Sequence, residues 1–114
     1  MSDDCLFCKI VAGDIPATVV RDDERTLAFR DVNPQAPVHV LVVPKRHLPD
    51  AAAVLADDPT LLSAMFASAV KVTEDEKLGD GYRLVFNTGK GAGQTVFHAH
   101  LHLLGGRDLG WPPG

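Results

Sequence analysis

The sequence has no long hydrophobic run. Stretches such as Val38–Val43 fall far short of the ~20 apolar residues a membrane helix needs, so no membrane partner is expected. An excess of basic charge is missing too. Eleven Lys and Arg against fifteen Asp and Glu give a net charge of −4 and a pI near 5.6. A general nucleic-acid binder wants a basic surface, so nucleic acid is not an expected partner. A single nucleotide remains open, because one site needs only local donors. The start, Met1-Ser2-Asp3-Asp4-Cys5, has neither a basic stretch nor an apolar stretch of the signal-peptide kind. A cytoplasmic location is the expectation. Cysteine is scarce, with only Cys5 and Cys8. In a reducing compartment this Cys-x-x-Cys suggests a metal or redox pair rather than a disulfide.

Repeats, low-complexity stretches and linkers are also absent. Residues 1–114 are therefore expected to form one domain, and its 46% hydrophobic content supplies a real core. Leu6–Ala12 reads as a short helix stopped by Gly13. Thr18–Arg21 and Thr26–Phe29 flank a charged turn and read as a hairpin. Val38–Val43 is the strongest strand, ended by Pro44. Thr60–Leu78 is the one long helix, with Asp58 as cap, Pro59 at its first position and Gly79 as terminator. Leu61, Leu62, Met65, Phe66, Ala69 and Val70 form its expected buried stripe. Glu74-Asp75-Glu76 oppose the helix dipole at its end, at small cost. Gly81–Asn87 and Phe97–Leu103 are further strands. The whole reads as α+β with an antiparallel sheet.

Three of the five histidines, His98, His100 and His102, fall in the last strand segment. Residues two apart on a strand share a face, so the imidazoles should form one row. Phe97, Ala99, Leu101 and Leu103 should face the long helix. Such a row can be a solvated polar face. It can be part of a zinc hydrolase, although the first and third histidines are about 13 Å apart along an ideal strand, too far to share one ion easily. It can be a nucleophilic imidazole whose neighbours bind an anion. Nine of the ten glycines lie from Gly79 onward, which concentrates special backbone geometry beside this strand. The loop Thr88–Val96, with Gly89, Gly91 and Gly93, can offer backbone N–H groups to an anion. Gln94 and Thr95 add donors, and Asn87 closes the other end.

These residues resemble the histidine triad (HIT) nucleotide-binding family. His98-Ala99-His100-Leu101-His102-Leu103-Leu104 matches its alternating signature, and Gly93-Gln94-Thr95-Val96 matches the step before it. Phe7-Cys8-Lys9-Ile10, Ile15-Pro16, Asp31-Val32-Asn33-Pro34-Gln35-Ala36-Pro37 and Pro44-Lys45-Arg46-His47 follow the family's order. The ending Trp111-Pro112-Pro113-Gly114 is similar to the Hint branch, the purine nucleoside phosphoramidases. The resemblance implies a five-stranded antiparallel sheet with one long and one short N-terminal helix. It also implies a homodimer whose sheets join into one of ten strands. It makes His100 the nucleophile that forms a nucleotidyl-histidine, oriented by a hydrogen bond to the carbonyl of His98. His102, Gln94 and the loop N–H groups would stabilise phosphoryl charge. His39 matches a further active-site histidine, and Asp31 the carboxylate that holds the ribose hydroxyls. Phe7, Ile10, Ile15, Phe29 and Val32 match the base pocket. Asn87, Gly93, Thr95 and Val96 match positions on the phosphate side. Arg30, matched to a nucleotide-binding position, replaces a His that is common in this branch, and Thr95 a Ser.

The implied ligand is AMP, GMP or a phosphoramidate analogue. The rival readings are a dinucleoside polyphosphate hydrolase of the same family and a non-catalytic nucleotide- or partner-binding module. For Cys5 and Cys8, a redox pair, two idle thiols and a structural Cys2His2 zinc site are the alternatives. Members that carry the N-terminal pair resemble the zinc arrangement, with His47 and His98 as partners and the metal serving stability more than chemistry. An open strand edge, which proteins avoid exposing, adds to the expectation of a dimer.

Overall fold

The computed structural model describes residues 4–114. Cys5 caps α1 (Leu6–Ala12), its Sγ accepting the Cys8 backbone N–H. The expected hairpin forms as β1 (Val19–Asp22) and β2 (Thr26–Arg30), and β3 spans Val38–Pro44. A short helix, α2 (Ala51–Asp57), follows. The long helix α3 covers Pro59–Asp75, and β4 (Tyr82–Phe86) and β5 (Leu101–Gly105) complete the chain. The five strands form one antiparallel sheet in the order β1-β2-β3-β5-β4.

Strand alternation divides the core in two. Ala28, Val40, Val42, Leu101 and Leu103 face α3 and pack with Leu61, Met65, Ala69 and Val72. Leu27, Phe29, Leu41 and Val43 face the other way and pack with Cys5, Phe7 and Cys8 at α1. Among the described residues the sheet thus has a helix-filled face and a second face covered by a seven-residue helix with Ala17 and Val96 beside it. The site forms on that second face.

Four expectations need correction. The last strand begins at Leu101, not Phe97, because Ala99 N–H donates to Leu48 O at 2.7 Å and holds the preceding stretch against the segment after β3. Phe97 is exposed rather than packed on α3. The long helix ends at Asp75, before Gly79: Leu78 N–H bonds back to Thr73 O and Lys77 takes a positive φ. Leu78 then packs so close to Gly105 that a Cβ there would lie 2.7 Å from Leu78 Cδ1, so any larger residue at this position in β5 would push the Leu78 side chain aside. Finally, the buried stripe of α3 runs through Leu61, Met65, Ser68, Ala69 and Val72. Phe66 and Val70 are 38% and 40% exposed, and Phe66 meets Phe86 of β4 edge-on at 5.8 Å.

Candidate active site and metal centre

Antiparallel pairing of β3 and β5 sets Leu41 opposite His102 and His39 opposite Leu104. His39 and His102 are therefore diagonal neighbours on one face, a position from which long side chains meet. Their rings bond, His39 Nε2 to His102 Nδ1, at 2.9 Å. The backbone N–H of Gln35 donates to His39 Nδ1 at 3.0 Å. In the neutral ring that fixes the proton on Nε2, so His39 donates to His102. His102 then carries its own proton on Nε2, away from the pair. Asp31 stands beside them, Oδ2 lying 3.5 Å from His39 Nε2, while its Oδ1 accepts the Asn33 N–H.

His100 is set by a different acceptor. Its Nδ1–H donates to the carbonyl of His98 at 2.8 Å, which leaves the Nε2 lone pair unprotonated. Phe7 packs its ring edge-on 5.0 Å away, and the His102 ring lies at 4.9 Å. Burial lowers the pKa of His100, against the opposing pull of the His98 carbonyl and Asp31. Burial also lowers His39, against Asp31. Burial, with repulsion from His100 and His39, takes His102 down to about 4. At neutral pH this cluster is a set of neutral, tautomer-fixed imidazoles: one offers a lone pair and the next an N–H.

The glycine-rich loop is more self-contained than expected. The N–H groups of Ala92, Gly93 and Gln94 donate to carbonyls within the loop, and Gly93 takes φ +89°. Gln94 was expected to meet phosphate. It is buried instead, donating to Pro49 O at 2.6 Å and Val96 O at 3.0 Å and accepting from Gly89 N at 2.8 Å. Its amide holds the loop to the segment before α2. Thr95 is exposed and Asn87 half-buried.

The base-pocket residues separate. Phe7 and Phe29 meet edge-on at 5.6 Å, and Ile10 and Val96 pack on the same cluster. Ile15 is half-buried. Val32 is 99% exposed and reaches none of them. Arg30 points to the opposite face, where it forms an ion pair with Glu76 at the end of α3. Period-two alternation puts it on the side away from Phe29, so it does not join the pocket.

Cys5, Cys8, His47 and His98 form a second cluster, whose ligand atoms all lie within 4.8 Å of one another. The spacings are 3.4 Å for Cys5 Sγ to His98 Nδ1, 3.2 Å for Cys8 Sγ to His47 Nδ1 and 3.5 Å for Cys8 Sγ to His98 Nδ1. The two Nδ1 atoms are 3.1 Å apart. Tetrahedral zinc, with bonds of about 2.0–2.3 Å, separates its ligand atoms by roughly 3.3–3.8 Å. The orientation also fits. His98 Nε2–H donates to Pro44 O at 2.8 Å, leaving Nδ1 free to ligate, as a partner behind a metal ligand should. The cluster can bind a metal such as zinc. Asp31, His39 and His102 are close enough to be considered as well. There Gln35 occupies His39 Nδ1, so the atom that would ligate carries the proton, and the group does not fit a cation.

A family profile described as the HIT domain matches residues 12–109. The chain belongs to the HIT family. An uncharacterized HIT-like protein of Synechocystis is 52% identical over the full length of both chains. A crystal structure of a HIT family hydrolase from Legionella pneumophila is 54% identical with a TM-score of 0.93, covering 97% of this chain and 100% of that one. A histidine triad nucleotide-binding protein from Candida albicans is 33% identical with a TM-score of 0.83, covering 96% and 83%.

In this HIT protein the pattern of side chains does not reveal several of the groups that orient the histidines. The N–H of Gln35 and the carbonyl of Pro44 are main-chain atoms, which carry no side-chain signal, whereas the bond to the His98 carbonyl, implied by the resemblance, is present. The short helix α2 was legible but missed: Asp50 before Ala51-Ala52-Ala53 is a capping signature, and its carboxylate accepts the Ala53 N–H at 2.8 Å.

Proposed function

We propose that this HIT protein hydrolyses purine nucleoside 5′-phosphoramidates through a nucleotidyl intermediate on His100. One observation carries the reading: His100 is locked with Nδ1 protonated against the His98 carbonyl, so Nε2 presents its lone pair beside the His102 ring. Attack of Nε2 on the α-phosphorus breaks the P–N bond. The amine leaves with the bonding pair and takes a proton from solvent. The Nε2–H of His102 donates to a phosphoryl oxygen as charge develops there. Water then cleaves the His100–phosphorus bond, releasing the nucleotide and the neutral ring. Asp31 holds the ribose, and Phe7, Ile10, Ile15 and Phe29 hold the base.

Cys5, Cys8, His47 and His98 would hold a zinc ion, which when bound supplies a fixed cross-link among α1, the end of β3 and the segment before β5. Its cysteines, both unbridged, suit the reducing cytoplasm. Among the described residues no helix is long and apolar enough to cross a membrane. A homodimer is supported by β4, whose outer edge borders exposed Phe66, Val70 and Tyr82. The test of substrate class is AMP release from adenosine 5′-phosphoramidate and from diadenosine polyphosphates. Faster turnover of the first is expected; the reverse order would make the chain a polyphosphate hydrolase.

A further inference from the structure

Helix α1 carries two kinds of residue at once. Cys8, with Cys5 as the helix cap, belongs to the metal cluster. Phe7, between them in sequence, sets its ring against both His100 and Phe29. His98 is divided in the same way. Its Nδ1 faces Cys5, Cys8 and His47, while its backbone carbonyl accepts the proton of His100 at 2.8 Å. Two short routes therefore join the four ligand atoms to the nucleophile. One runs through the ring and main chain of His98, the other through α1 and Phe7.

We propose that a metal held by Cys5, Cys8, His47 and His98 positions His100 and the base pocket, so that metal and purine nucleotide bind with positive coupling. The proposal rests on the metal and nucleotide readings above and adds the linkage between them. Its physical basis is the weakness of α1 alone. Seven residues are well below the ~12–15 at which an isolated helix becomes even marginal in water. The helix buries only Phe7 and Cys8. Its cap is a thiol, a weak acceptor. Ligation of both sulfurs would fix α1 against the sheet, and with it the ring that backs His100. It would also anchor His98 from a second side, its Nε2–H being held already by Pro44 O, and so fix the stretch of main chain whose carbonyl bonds His100 Nδ1. His98 and α1 thus act as positioning groups. A nucleotide that needs the ordered pocket must, by reciprocity, strengthen the hold on the metal.

The test uses the full, reduced chain. Zinc uptake is first measured by equilibrium dialysis, and AMP affinity by calorimetry on zinc-loaded and zinc-stripped protein. The expectation is AMP binding at least roughly fivefold tighter to the loaded form. Because the stripped chain could lose its fold, a second arm uses loaded protein only: saturating AMP should slow zinc transfer to a chromophoric chelator severalfold. Phe7→Leu should keep the bound zinc but reduce that protection. Equal AMP affinity in both forms, with zinc transfer indifferent to AMP, overturns the coupling and leaves both underlying readings intact. Failure of the reduced chain to take up zinc overturns the metal reading. Failure of either form to bind AMP overturns the nucleotide reading. Either failure removes the coupling as well.

Discussion

Gln94 shows how far a residue's role depends on where its bonds go. Sequence position placed it among the phosphate donors, yet its amide is buried with bonds to Gly89, Pro49 and Val96. Gln94→Ala should cost about 1–3 kcal/mol, since it removes three part-buried hydrogen bonds, each worth about 0.5–1.5 kcal/mol net. Denaturant unfolding checks this, and a variant as stable as the parent would contradict the clamp. The histidines make a second residue-scale prediction. His39 is held below its ordinary value by burial, against Asp31, and His102 is lowered to about 4 by burial and its neighbours' charge. The unfolded chain, with histidine near 6.5, therefore takes up protons first. Stability from this neutral pair is complete above about pH 6.5 and is lost as pH falls toward the folded value. Unfolding midpoints should drop through that window, and His102→Gln should flatten the drop. An equal drop in the variant would contradict the assignment.

At the scale of elements, α1, the hairpin and β3 were legible because each carries its own punctuation: Gly13, the charged turn and Pro44. The start of β5 was not, because alternation in Phe97–Leu103 continues past the point where the ladder stops. That limit is tertiary: Ala99 N–H goes to Leu48 O, and the contact is invisible in a local pattern. The side of the sheet each residue faces was readable for His39 and His102. For Arg30 the family match and the alternation disagree, and alternation prevails. The Cys pair was visible in the sequence but its histidine partners came only from the resemblance, and the selection of this cluster over the Asp31 group rests on two main-chain groups, the Gln35 N–H that donates to His39 and the Pro44 carbonyl that accepts from His98. If the cluster is loaded with zinc, stripping the ion should destabilise α1 and lower the thermal midpoint by about 4 °C or more, the shift expected for about 1 kcal/mol in a small domain. The α3-side core contains none of the four ligands, so far-UV dichroism should be largely kept. An unchanged midpoint would mean that the ion ties nothing together.

The whole molecule leaves one side of the sheet unfinished. Beside the β4 edge, Phe66, Val70 and Tyr82 are each about two-fifths exposed, and Trp111 is 85% exposed near the end of the chain. The sequence pattern assigned Phe66 and Val70 to the core, since a half-exposed stripe and the core stripe beside it share one helical period. Light scattering should give twice the chain mass of 12.2 kDa, and Phe66→Asp should shift the protein toward monomer. A parent chain that stays monomeric at micromolar concentration would contradict the dimer. The central claim is that His100 carries the nucleotide during turnover. The most direct measurement mixes the protein with adenosine 5′-phosphoramidate, quenches within one turnover in base and locates any adduct by peptide mass spectrometry. An adenylate on the peptide at His100, absent from a folded, AMP-binding His100→Ala variant that has lost at least about three orders of magnitude in kcat, is the expected result. Rapid turnover with no adduct, or an adduct on another residue, would contradict it.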